Sequence, residues 1–306
     1  MNTREMRIPS NRVRDIERYM HAELDALYGE GEVGVFVGIL FEAFLGWDKA
    51  HFLLHRGETI DQSDLLRFHW AVEDLKKYRP IQHIIGYADF CGCRIAVCPD
   101  VLIPRPETEE MVQQIFRRLE SGVRNSSCGT RTMPNSLNIL DLCTDSGCIA
   151  IALKKAFPQA CVTAVDVSEK ALAVARCNAE ANGTDITFIQ ADILDPKNIE
   201  SQYSTFDLIV SNPPYVRDSE RTQIAANVLD YDPALALFVP DDDPLRFYSA
   251  IADIASRSLA PDGLLAVEIN EALADETCAL LRGRGFDPVT NTDFRNRPRW
   301  ITATHK

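Results

Sequence analysis

The sequence predicts an α/β protein: a doubly wound parallel sheet clad in helices on both faces, preceded by a small helical bundle and a linking β-hairpin. Three observations predict it. From residue 138 onward short β-rich runs alternate with helical ones; before residue 80 apolar residues recur at steps of three and four; and residues 86–103 set Phe90, Ile95 and Val97 among small and polar residues. The chain has 306 residues, 46% of them hydrophobic, which is enough to fill the cores of two domains.

Taken in order, Val13, Ile16, Met20, Leu24 and Leu27 mark one amphipathic helix, and Leu65, Phe68, Val72 and Leu75 another. They flank a more apolar helix at 33–44. Asp61 and Ser63 suit the start of the later helix, and Pro80 is expected to end it. Residues 1–85 thus form the expected helical domain, 86–103 the hairpin linker, and 104–306 the second domain. There a helix is expected to end near Leu119, followed by a flexible polar loop at 121–136. Strands are expected at 138–141, 161–166, 186–189 and 206–210, with helices at 148–157 and 169–182 punctuated by Pro158, Ser168 and Gly183. Two later strands, 263–269 and 300–304, enclose a helix at 272–282.

Composition narrows the function. A net charge of −13 speaks against a protein that grips nucleic-acid backbones and suits a basic protein partner better. Apolar runs are broken by charge before they could span a bilayer, and no signal-peptide core follows Met1, so a cytoplasmic protein with no membrane role is expected. Nine cysteines, an odd and scattered set, are expected as reduced core thiols. Cys91, Cys93 and Cys98 match no common zinc spacing, and His51 with His55 lacks a third ligand, so no metal is expected.

Open α/β sheets bind ligands beyond the carboxyl ends of their strands, at the switch point. Asp141, Cys143, Thr144, Asp145, Ser146 and Gly147 close the first strand and open a helix whose free N–H groups can hold a carboxylate or phosphate. Asp166 ends the second strand, where an acidic residue accepts ribose hydroxyls, and Asp192 with Ile193 follows the third. The fourth ends in Ser211-Asn212-Pro213-Pro214-Tyr215. Two prolines force a stiff turn with unpaired carbonyls, Asn212 adds an amide and Tyr215 a flat ring, a set suited to a carboxamide or an exocyclic base amine. Each residue alone is more often a turn former; four polar residues at successive strand ends are a stronger signal.

This order of motifs resembles a class I S-adenosylmethionine-dependent methyltransferase with a Rossmann-like sheet. Asn-Pro-Pro-Tyr is shared with adenine methyltransferases. Leu102-Ile103-Pro104-Arg105-Pro106-Glu107-Thr108-Glu109, with Pro80-Ile81-Gln82-His83 and Phe90-Cys91-Gly92, more specifically resembles the HemK/PrmC family, which methylates the glutamine of the Gly-Gly-Gln motif in peptide chain release factors. The resemblance implies S-adenosyl-L-methionine as cofactor, S-adenosyl-L-homocysteine as product, and a release factor as partner recruited by the helical domain. It implies that Cys143 to Gly147 line the methionine end, Asp166 binds ribose, Asp192 and Ile193 flank adenine, and Asn212, Pro213, Pro214 and Tyr215 hold the glutamine. The family loop is Gly-x-Gly-x-Gly; here it reads Cys143-Thr144-Asp145-Ser146-Gly147, so the Asp145 charge is expected to oppose a ligand carboxylate. His83 stands where the family has Tyr.

The chemistry asks for positioning more than activation, because an amide nitrogen is a weak nucleophile and a sulfonium methyl needs no acid to leave. Asn212 and the Pro213 carbonyl are the expected acceptors of the amide hydrogens, with Tyr215 packed on the amide plane. Three alternatives remain at this point: an adenine N-methyltransferase acting on nucleic acid, a glutamine methyltransferase for a ribosomal protein, and a non-catalytic binding protein disabled at Asp145.

Overall fold

The computed structural model describes residues 10–120, 137–195, 205–224 and 226–306, so the loop expected at 121–136 lies outside the described residues. Its contacts separate two units, one running to Gly86 and including Ala226–Tyr231, the other comprising the rest from Tyr87. The first unit holds α1 (Val13–Tyr28), α2 (Glu30–Leu45), α3 (Lys49–Leu54), α4 (Gln62–Leu75) and α5 (Ile81–Ile85). Val13, Ile16, Met20 and Leu24 are buried against Val33, Val37 and Leu40 of α2 and Leu65, Phe68 and Val72 of α4. Phe41 anchors this core, its ring 4.5 Å from that of Phe68 and 4.8 Å from that of Phe52. Removing such a ring costs about 3–5 kcal/mol.

Two local expectations fail here for clear reasons. Leu27 is 41% exposed, because Tyr28 takes the inward position four residues after Leu24: its hydroxyl donates to the Leu75 carbonyl at 2.7 Å. Pro80 does not end α4, which stops at Leu75; Tyr78 turns the chain at φ 59°, and Pro80 opens α5. The cysteines do not all occupy cores: Cys93, Cys148 and Cys278 are buried, while Cys161 and Cys177 are exposed.

The second unit begins with the hairpin β1 (Tyr87–Phe90) and β2 (Cys93–Ala96), followed by α6 (Pro106–Glu120). Then come β3 (Asn138–Leu142), α7 (Cys148–Ala156), β4 (Cys161–Asp166), α8 (Glu169–Ala181), β5 (Thr187–Gln190), β6 (Phe206–Ser211) and β7 (Val216–Arg217). The short helix α9 (Ala226–Leu229) clusters with the first unit. After it follow α10 (Ala234–Leu237), β8 (Phe238–Val239), α11 (Arg246–Ser258), β9 (Leu259–Glu268), α12 (Ala274–Gly283), β10 (Phe286–Thr292) and β11 (Pro298–His305). The hairpin is more than a connector, since Phe90, Cys93 and Ile95 are buried in one cluster with α6 and α7.

Seven strands form the main sheet in the order β10-β11-β9-β6-β3-β4-β5. β9, β6, β3, β4 and β5 run parallel, but β11 is antiparallel to both neighbours, so the sheet is mixed rather than wholly parallel. The physical reason is the short link from β10 to β11, too short for a helical crossover and long enough for a hairpin. Alternation divides the core: Ile139, Leu208, Val210 and Ala266 face α6 and α7, whereas Leu140, Ile209, Leu265 and Val267 face α11 and α12. Both faces are covered. The ladder sets Leu142 opposite Val165 on one side and Ser211 on the other. Cys143, Asp166 and Asn212, each the next residue along, therefore leave the sheet side by side where the strand order reverses.

Candidate active site

The loop after β3 alternates its backbone handedness: Cys143, Asp145 and Gly147 have φ of 58°, 51° and 81°. Such alternation turns successive N–H groups toward one side, and this loop uses them internally, Thr144 on the Val165 carbonyl at 3.0 Å and Gly147 on the Thr144 carbonyl at 2.9 Å. It also explains why glycines suit these three positions, and why a Cys and an Asp here each carry about 1–2 kcal/mol of strain, Asp being among the side chains that tolerate it best. Gly147 cannot be replaced so easily, because a Cβ there would lie 3.0 Å from the Ala175 Cβ. Beneath the loop Asp141 is fully buried and accepts the Thr144 hydroxyl at 2.6 Å. Burial pushes its carboxyl up to about 7 even though Thr144 and the Ala150 N–H donate to it. Asp141 and Gly147 do not line the cavity above. They were expected to contact a ligand directly; Asp141 instead braces the loop through Thr144, and Gly147 ends the loop where α7 begins.

The structure also revises the expectation for Asp145. Its Oδ2 accepts the Leu102 N–H at 2.9 Å, tying the segment before α6 to the loop. Burial, then the neighbouring Asp166 carboxylate, raises its carboxyl well above the ordinary range, which suppresses the charge the residue type implies. Its own N–H donates to Asp166 Oδ2 at 2.9 Å, while Asp166 Oδ1 accepts from the Ser168 N–H at the same distance. The Val167 N–H also acts on this carboxyl, and since a carboxylate has about four lone-pair sites, Asp166 keeps acceptor capacity for a ligand.

One cavity brings most of the expected residues together: Cys143, Thr144, Asp145, Ser146, Asp166, Asp192, Ile193, Asn212 and Pro214 line it. Asp192 is braced by the Leu194 N–H at 2.9 Å, which sets Ile193 at the cavity wall. Leu102, Arg105, Thr108 and Phe247 are among the other residues of the wall and were not assigned from the sequence. Arg105 forms an ion pair with the buried Asp232. Pro213 and Tyr215 are absent from the wall. Tyr215 instead sends its hydroxyl to Glu268 Oε1 at 2.9 Å, and its carbonyl accepts from Asn270 Nδ2 at 3.0 Å. Its ring packs with the cluster on the α11 side of the sheet and so is taken up by the fold.

Glu268, the last residue of β9, is the residue that sequence reasoning missed. It is 2% exposed, and its Oε2 accepts the Thr108 hydroxyl at 2.6 Å. Thr108 Oγ1 in turn accepts from Asn212 Nδ2 at 3.2 Å. Burial pushes the Glu268 carboxyl up to about 7, with Thr108 and Tyr215 pulling the other way. A signal was present: Glu268 ends a strand as Asp166 does, but the apolar run before it reads as core.

A mixed seven-stranded sheet with a polar cavity at the carboxyl ends of its parallel strands, and with residues 128–234 matching the Methyltransferase small domain, makes this chain a methyltransferase of the class I fold. The catalytic domain of hMettl16, solved with the MAT2A 3'UTR hairpin 6, shares that fold at TM-score 0.52 and 13% identity, over 81% of this chain and 84% of that one. Residues 29–86 match the PrmC N-terminal domain. The release factor glutamine methyltransferase of Flavobacterium psychrophilum is 43% identical over 267 residues, 87% of this chain and 90% of its own. That of Bacteroides thetaiotaomicron is 39% identical over 289 residues, 94% and 98% of the two chains. The chain belongs to the release factor glutamine methyltransferase family.

Proposed function

We propose that this enzyme transfers the methyl group of S-adenosylmethionine to the side-chain amide nitrogen of the glutamine in a release-factor Gly-Gly-Gln motif. The observation that carries this reading is the Asn212 amide, anchored through Nδ2 and lining the same cavity as the β3 loop and Asp166. The residues fit the cofactor. The N-terminus of α7, whose Cys148 and Ile149 line the cavity, suits its methionine carboxylate, the remaining acceptor capacity of Asp166 suits ribose hydroxyls, and Ile193 with Phe247 offers apolar surface for adenine. When bound, it supplies an electrophilic methyl on a positively charged sulfur that leaves without protonation.

The chain's own task is orientation. Asn212 Oδ1, the amide end turned from Thr108, accepts one hydrogen of the substrate amide. That acceptor aims the nitrogen and stabilises the positive charge that builds on it as its lone pair is used. The spent proton passes to solvent. Pro214, at the wall, excludes water beside the amide. Tyr215 acts from below through Glu268. The helical unit, containing the match to the PrmC N-terminal domain, recognises remote parts of the protein substrate and supplies binding energy rather than chemistry. The names of the relatives support the substrate, and the net charge of −13 suits a basic protein partner.

Incubation of the purified enzyme with methyl-labelled S-adenosylmethionine and a recombinant release factor tests the reading. Mass spectrometry is expected to place the label on the Gly-Gly-Gln glutamine. Label on a ribosomal protein, on nucleic acid or nowhere rejects the assignment.

A further inference from the structure

The Asn212 amide has two chemically opposite ends, and only one of them serves the reaction proposed above. An amide nitrogen of the substrate needs an acceptor; an NH2 group facing it would repel its hydrogens. What decides the orientation lies outside the cavity's contact with substrate. Thr108 has one hydroxyl proton, and it is spent on Glu268 Oε2 at 2.6 Å. The Thr108 oxygen is then an acceptor only, so Asn212 must offer it Nδ2 and turn Oδ1 away. Glu268 is filled from its other side by the Tyr215 hydroxyl at 2.9 Å. Three side chains from α6, β9 and the turn after β6 thus form a directional chain that ends on the residue beside the substrate.

We infer that Thr108 and Glu268 are positioning residues that set which end of the Asn212 amide faces the cavity, and that a proton on Glu268 reverses that end. The inference rests on the proposed methyl transfer for its consequence, but the orientation exists without substrate. With a proton on Oε2, Glu268 donates to Thr108, whose own hydroxyl proton then turns toward Asn212. The amide must answer with Oδ1 and so presents Nδ2 to the cavity. The one covalent change is the Oε2–H bond, formed with a proton from solvent; all else is a change of hydrogen bonds. The charged and titratable groups around Glu268 are Glu107 beside Thr108 on α6, Arg299 on β11, Tyr215, and Tyr248 on α11. Glu107 and Arg299 act in opposite directions, and neither tyrosine ionises near neutrality, both being raised by burial. Burial therefore dominates, and the carboxyl titrates at about 7.

Two measurements on the full chain test this. In the first, turnover is followed from pH 6 to 8.5 at saturating cofactor. The wild type is expected to gain about tenfold across that range as Glu268 ionises, and Glu268→Gln to lose the rise. Thr108→Val is expected to lower kcat about 10–100-fold while changing cofactor Kd less than about threefold, with Thr108→Ser recovering most of the loss. A Thr108→Val kcat within threefold of wild type, or an unchanged pH rise in Glu268→Gln, overturns the inference. The second needs no turnover and no variant that could misfold: the side-chain amide protons of Asn212 are followed by exchange in protein labelled with 15N-asparagine. Their protection, relative to a free asparagine amide, is expected to be higher at pH 8.5 than at pH 6, because Nδ2 then faces Thr108. Equal protection at both values overturns the inference even if release-factor methylation is observed; absent methylation with the expected change in protection rejects the substrate alone.

Discussion

The turns after β3 and β6 leave adjacent parallel strands at the same level, yet they are built in opposite ways. The β3 turn bends its backbone into left-handed conformations at Cys143, Asp145 and Gly147 and opens α7 at the cavity, where Cys148 and Ile149 line the wall. The β6 turn contains two prolines, which have no N–H to present, and it projects a side-chain amide held from behind by Thr108 and Glu268. The first turn leads into a helix N-terminus, which suits an anionic group; the second projects a side-chain acceptor, which suits amide hydrogens. Each also has a buried carboxyl beneath it, Asp141 under the first and Glu268 under the second, and burial raises both to about 7. The lesson is that the sheet supplies level ends, while the backbone chemistry of each turn decides which partner it takes.

The comparison can be broken most sharply at Asn212. Asn212→Ala removes an acceptor that matters most as charge builds on the nitrogen, so turnover is expected to fall by roughly two to three powers of ten. A loss below tenfold in single-turnover assays would leave the β6 turn without its assigned role. Next in size is Asp166→Ala, which removes the acceptor of the Asp145 and Ser168 N–H groups and the proposed ribose contact. Its cofactor affinity, measured calorimetrically, is expected to fall by about 1.5–3 kcal/mol; unchanged affinity would move the cofactor elsewhere. The smallest effect sharpens the β3 turn. Since burial and Asp166 hold the Asp145 carboxyl well above its ordinary range, Asp145→Asn is expected to change cofactor affinity at pH 7 by less than about threefold. Tightening by tenfold or more would show that the charge is present after all.

Much of this site was legible because it follows a rule that relates sequence to topology. Asp166, Asp192 and Asn212 stand where apolar strands end, and register then brings those ends together. What was not legible depends on partners distant in sequence. Thr108 and Glu268 are 160 residues apart, and nothing local in either says that they share a proton. Tyr215 was assigned to the ligand because its ring suits one, but Glu268 takes its hydroxyl and the fold takes its ring. Asp145 looked like an obstacle because residue type shows a charge without its surroundings; the Leu102 N–H and the burial that alter it come from another segment. β10 escaped notice for a similar reason: its burial alternates weakly, and pairing with β11 forms the strand.

The central claim, that one turn holds the cofactor and its neighbour orients the amide, is tested most directly by crossing two variants with two quantities. Cofactor Kd and the single-turnover rate at saturating cofactor are measured for wild type, Asp166→Ala and Asn212→Ala, with a release factor as substrate. The account predicts that Asp166→Ala raises Kd by about 10–150-fold while the saturated rate stays within a few-fold, and that Asn212→Ala leaves Kd within a few-fold while the rate collapses. Two variants that move the same quantity by similar factors would contradict it.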